Sequence, residues 1–190
     1  MSRMADARAP SEPKRVFVGV TLSEHVTEEC VKMQAELADV PARFISPEDL
    51  HLTLVPPWVM TDRVRVRQQL LEALYGVRPF TLRFNRLTYG PTAMRPWLVW
   101  MEAAASQEIV SLKKRLMDTF SARNHVGFLP HVTLARFQKE EPIAHLRPVA
   151  RALALSMRVE SVSLFESPNG GGAGYALLDV VRFGSDEPPH

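Results

Sequence analysis

The chain has 190 residues, 46% of them hydrophobic and 23% charged, a balance that excludes a disordered or fibrous polypeptide and suits one soluble domain. Its formal net charge, 23 basic less 21 acidic residues, is only +2, which excludes the broad basic footprint of a duplex-binding domain but leaves room for a small anionic substrate in a local basic site. The single cysteine, Cys30, rules out an internal disulfide or a multi-cysteine zinc site.

The opening segment, MSRMADARAPSEPKR, carries no apolar core of a signal peptide, and no apolar run approaches the length of a membrane span. The expectation is a soluble cytoplasmic protein. Residues 1–14 read as a disordered arm, 15–184 as one domain, and 185–190 as a tail.

In chain order, Val16 to Val20 (VFVGV) has the length and character of a strand. Ser23 offers an N-cap to a helix over 24–37, with Val26, Cys30, Met33 and Leu37 on one face. A second strand is expected over 50–55, stopped by Pro56-Pro57; a helix follows, capped by Thr61 or Asp62 and ending near Tyr75, then a strand over 80–87. The programme restarts with a strand at 97–101, an amphipathic helix over 105–121 and a strand at 131–135. Residues 142–155 read as a helix weakened by Pro148, and strands near 158–166 and 175–183, joined by a Gly-rich hairpin loop, close the chain.

The order strand, helix, loop, strand, helix, strand thus occurs twice, over pseudo-repeats of about 15–92 and 93–184. Each copy carries the same tetrapeptide in the same place, His51-Leu52-Thr53-Leu54 and His131-Val132-Thr133-Leu134. On a strand, residues i and i+2 face the same way, so each copy presents an imidazole and a hydroxyl together. Leu52, Leu54, Val132 and Leu134 then turn into the core and fix the register.

Brought together across a pseudo-two-fold axis, two imidazoles and two hydroxyls suit in-line displacement at phosphorus. One imidazole takes the proton of the attacking oxygen, the other protonates the leaving oxygen, and the hydroxyls donate to the non-bridging oxygens. Two other readings of the same histidines stand beside this one: satisfied structural residues, or a metal site. The motifs hold neither a carboxylate nor a cysteine to complete a metal's ligand set.

The residues also carry a family resemblance. RVFVGV, SPEDLHLTL, GFLPHVTLAR, and LFES followed by Tyr175 resemble the 2H phosphoesterase superfamily. They are most similar to its RNA 2′,3′-cyclic phosphodiesterases, also called 2′-5′ RNA ligases, from Arg15 to Phe183. The resemblance implies an α+β fold, duplicated and bilobal, with two antiparallel sheets flanking a central cleft and helices outside.

It implies metal-independent hydrolysis of RNA 2′,3′-cyclic phosphate ends to a 2′-phosphate, with reverse 2′-5′ ligation as the same reaction run backwards. His51 is then the general acid, His131 the general base, and Thr53 and Thr133 the phosphate holders, with no metal or other cofactor. The implied partner is an RNA or nucleotide with a cyclic phosphate end, with no membrane and no obligate protein partner. Arg136 matches a ligand-contacting basic residue after the second motif, yet plain alternation puts it opposite His131, so that role requires the strand to end or bulge after Leu134.

The chain departs from the family where Val55-Pro56-Pro57-Trp58 follows the first motif. Trp58 there is either a base-stacking residue or a core or lid tryptophan. Alternatives of other kinds are a 2H phosphodiesterase for another cyclic phosphate or a 2′-5′ oligonucleotide, and an RNA-binding module without turnover.

Overall fold

The computed structural model describes residues 13–92, 94–122, 127–140, 142–168 and 174–184. The expected disordered arm lies almost wholly outside them, as do the tail and all of the Gly-rich loop but Gly174. Among the described residues, nine strands and three α-helices run in the order β1 (Lys14–Thr21), α1 (Glu24–Glu36), β2 (Arg43–Phe44), β3 (His51–Met60), α2 (Arg63–Leu74), β4 (Phe80–Gly90), β5 (Leu98–Ala103), α3 (Gln107–Thr119), β6 (His131–Arg136), β7 (Arg151–Val159), β8 (Ser161–Glu166) and β9 (Ala176–Arg182).

The strands form two antiparallel four-stranded arrays, β7-β4-β5-β6 and β3-β1-β8-β9. A single bridge, Leu52 to Val132, joins them into one sheet whose outermost strands do not pair, and β2 adds to the free side of β6. β4, from the first half of the chain, belongs to the array of β5 and β6, whereas β8 and β9, from the second half, flank β1. The arrays are therefore exchanged between the sequence halves, with the two histidine strands meeting in the middle.

Helix α1 packs against β6 and β7, α3 against β3, and α2 against β9 and α3. Each helix buries one apolar stripe, such as Val26, Cys30 and Met33 in α1 or Ile109, Leu112 and Leu116 in α3. Asp62 caps α2 by accepting the Arg65 N–H at 3.0 Å. Leu52, Leu54, Val132 and Leu134 are fully buried, as their alternation requires, and leave His51, Thr53, His131 and Thr133 half-buried on the other face.

Three sequence expectations are corrected. β3 does not stop at Pro56-Pro57 but continues to Met60, because the two prolines fall between the Val18–Val55 and Val16–Trp58 pairs, where three β3 steps oppose two of β1. A bulge there asks no ladder hydrogen bond of a proline nitrogen. The helix expected over 142–155 is a short 3-10 turn at Ile143–His145, then β7, paired along its length with β4. Leu153, Leu155, Met157 and Val159 alternate with exposed residues, a period of two that Pro148 separates from any helix before it. The single strand expected near 158–166 is the end of β7 and the whole of β8, split at Glu160. The second copy of the repeat thus carries a strand where the first carries α2.

Candidate active site

The two motifs meet at the seam between the arrays. Their half-buried side chains line one cleft, together with Ile45, Asp49, Leu98, Arg136 and Tyr175. All five motif-derived candidates, His51, Thr53, His131, Thr133 and Arg136, are brought together there. Trp58 is not among the lining residues; it is half-buried further along β3, its ring 4.8 Å from that of Phe120.

The imidazoles are held in matching fashion. His51 Nδ1–H donates to the backbone carbonyl of Asp49 at 2.7 Å, and His131 Nδ1–H to that of Leu129 at 2.8 Å. In each case the acceptor lies two residues upstream, where the chain enters the strand. A carbonyl accepts only, so both neutral rings carry their proton on Nδ1 and keep Nε2 for the cleft. His51 Nε2 lies 3.1 Å from Thr53 Oγ1. Burial lowers the pKa of both histidines below the usual 6.5; the backbone acceptors oppose that shift, and the Arg136 guanidinium adds to it for both rings.

The rings around each histidine differ. Phe17 and Tyr175 pack against His51 at 4.7 and 5.1 Å between centroids, Tyr175 edge-on, with Phe165 behind. Trp100 lies 4.3 Å from His131. The indole rests on Gly90, where a Cβ would overlap its ring atoms, so the position admits no side chain. Its Nε1–H donates to the buried carboxylate of Glu102, which Arg86 also grips through two nitrogens at 3.1 and 3.2 Å. Glu102 pairs across the strands with His131 and favours its charged form.

Arg136 reaches the cleft by a bulge, as the expected contact with a ligand requires. Trp100 pairs with Thr133 but Val99 with Ala135, so Leu134 is an extra residue on β6, and the alternation shifts by one after it. The same device occurs on β3, where Gly19 pairs with Thr53 and Val18 with Val55, leaving Leu54 extra. A helix side chain meets each bulged carbonyl. Gln34 Nε2 donates to Leu134 O at 2.9 Å and to Ile45 O at 2.7 Å, and Lys113 Nζ donates to Leu54 O at 2.7 Å.

Asp49 is the principal site residue that the sequence reading passed over. Its carboxylate is buried and accepts the backbone N–H groups of Gly174 and Tyr175 at 2.7 and 2.8 Å and the Ser46 hydroxyl at 3.0 Å, tying the β8–β9 hairpin over His51. Burial pushes its pKa up, but these three donors outweigh that and hold it below the ordinary carboxylate value. Its position two residues before His51 was visible in SPEDLHLTL; its distant partners were not.

Comparisons with known proteins bear on the family and the fold. Residues 42–171, well over half the chain, match the model of the 2′-5′ RNA ligase superfamily. A curated protein of Methanothermobacter thermautotrophicus (strain Delta H) named RNA 2′,3′-cyclic phosphodiesterase is 26% identical over 180 residues, covering 88% of this chain and 98% of its own. Among solved structures, a Thermus thermophilus protein superposes with a TM-score of 0.74 at 22% identity, over 89% of this chain and 97% of its own. Escherichia coli LigT complexed with 3′-AMP superposes with a TM-score of 0.73 at 20% identity, over 90% and 99%. Both share the fold. With its family model matched across both histidine motifs, this chain belongs to the 2′-5′ RNA ligase superfamily of 2H phosphoesterases.

Proposed function

We propose that the chain opens 2′,3′-cyclic phosphate ends of RNA to 2′-phosphates, without a metal, by paired acid–base catalysis. The observation that carries this reading is the tautomer lock: both Nδ1 atoms are committed to backbone carbonyls, leaving two Nε2 atoms for one cleft. The activity for which the Methanothermobacter relative is named supports the choice of ester.

In the proposed reaction His131 Nε2 takes a proton from water as the water oxygen bonds to phosphorus. The bond from phosphorus to the ribose 3′-oxygen breaks on the far side, and protonated His51 delivers its Nε2 proton to that oxygen. The phosphate stays on the 2′-oxygen. Imidazolium forms on His131 beside the buried Glu102 carboxylate, which offsets its charge. The Thr53 and Thr133 hydroxyls and the Arg136 guanidinium donate to the non-bridging oxygens. Ligation of the cyclic end to a 5′-hydroxyl follows the same proton transfers, with that hydroxyl in the place of water and a 2′-5′ phosphodiester as the product.

The test is incubation with a short RNA ending in a 2′,3′-cyclic phosphate, in the presence of a chelator, with the product read by phosphorus NMR. A 2′-phosphate is expected. A 3′-phosphate product, no turnover, or activity restored by a single transition metal would each overturn the reading.

A further inference from the structure

The cleft has a basic extension, Arg43 beside Arg136, of which the hydrolysis just described uses only Arg136. β2 adds to β6 in a register that sets Arg43 directly opposite Arg136, and both are exposed. Side chains of directly opposed residues stand on the same face with Cβ atoms about 4.5–5.5 Å apart, and like charges so placed destabilise the pair. Neither guanidinium has a hydrogen-bond or ion-pair partner among the described residues. The carboxylates in and behind the cleft are already committed, Asp49 to Gly174 and Tyr175, Glu102 to Arg86 and Trp100. Two opposed, uncompensated guanidiniums at the mouth of a phosphate-handling cleft are stabilised by an anion lying between them.

The order of residues along the cleft identifies that anion. Along β6 the two His–Thr pairs come first, and the next row is Leu98, Arg136 and Arg43, side by side on three neighbouring strands, with Ile45 between Arg43 and the motifs. A terminal nucleotide laid along this order puts its cyclic phosphate between the histidines and its sugar against the apolar pair. With its 5′-carbon directed along β6, such a nucleotide reaches the row of Arg136 and Arg43. We propose that Arg43 binds a phosphate ester on the 5′-carbon of the terminal ribose, with Arg136 standing between this phosphate and the cyclic one. The inference rests on the proposed function and makes the chain selective for cyclic ends that carry a 5′-phosphate. Such a phosphate belongs either to a preceding nucleotide of an RNA chain or to a free 5′-phosphorylated mononucleotide.

Three substrates separate these cases: adenosine 2′,3′-cyclic phosphate with a 5′-hydroxyl, the same nucleotide with a 5′-phosphate, and a dinucleotide with a cyclic end. The wild-type chain should show a KM about tenfold lower for both 5′-phosphorylated substrates, the worth of an exposed charge-assisted contact, with kcat little changed. Added salt should shrink that advantage. Arg43→Ala should abolish it while leaving the 5′-hydroxyl substrate unaffected, and Arg43→Lys should retain part of it.

An equal KM increase for all three substrates in Arg43→Ala would overturn the inference, as would an advantage that survives the substitution. An advantage confined to the dinucleotide would also overturn it, since the second nucleoside and not the phosphate would then be recognised. Wild-type turnover of all three without any 5′-phosphate preference overturns this inference alone. Turnover of none overturns the proposed function and this inference with it.

Discussion

Gln34 on α1 and Lys113 on α3 hold the same place in opposite halves of the sheet, each donating to the carbonyl of the extra residue that follows a His–x–Thr motif. Each bulge reverses the alternation beyond its threonine, and on β6 this turns Arg136 into the cleft. Gln34→Leu removes the donor to both Leu134 O and Ile45 O and should cost about 1–3 kcal/mol in urea unfolding. With the bulge loosened, KM should rise more than kcat falls. Wild-type stability and kinetics together would show that the glutamine does not fix the bulge.

The acid and base roles of the histidines can be separated by the leaving group. The ribose 3′-oxygen needs a proton to depart, whereas nitrophenolate leaves as the anion. With a cyclic-ended RNA, His51→Ala and His131→Ala should each lower the rate by about 10² to 10⁴. With a nitrophenyl phosphodiester that the wild-type cleft turns over, His51→Ala should recover most of its rate and His131→Ala almost none. Recovery of His131→Ala instead would reverse the roles, and equal recovery would remove the in-line acid–base scheme.

Both histidines titrate below 6.5 in the folded chain, chiefly through burial. Between the folded values and 6.5 the unfolded chain binds protons that the folded chain does not, so acidification favours unfolding. Stability should therefore be fully present above about pH 6.5 and fall as pH drops from there through the folded pKa values. A His51→Gln/His131→Gln double variant should show a flatter thermal midpoint across the same window. In kinetics, protonated His51 and neutral His131 together give a bell-shaped kcat/KM with its maximum on the acid side of 6.5. A maximum well above neutrality would contradict the lowered values.

Asp49→Asn keeps the shape of the side chain but offers only one good acceptor to the Gly174 and Tyr175 N–H groups. Hydrogen exchange at those two amides should accelerate markedly, with a stability loss of about 1–3 kcal/mol for the unpaired buried donor. Tyr175 would no longer be held edge-on to His51, and kcat should fall although neither histidine is altered. Unchanged exchange at both amides would show that the hairpin is anchored elsewhere.

The duplicated His-x-Thr-Leu motif and the faces of both strands, each presenting an imidazole and a hydroxyl side by side, were determined by the sequence alone. Each depends on residue type and a period of two, which are local properties. Tertiary structure decided the rest. The exchange of β4 with β8 and β9 between the arrays is a matter of pairing between distant segments. The β7 segment becomes a strand because β4 presents an edge to it, and Pro56-Pro57 are carried within β3 because they fall in its bulge against β1. Arg136 faces the cleft through a bulge held by a residue about a hundred positions upstream, Gln34. Asp49 and Tyr175 meet across a comparable separation. Contacts of that span depend on where the fold brings its segments, and neither composition nor spacing records this.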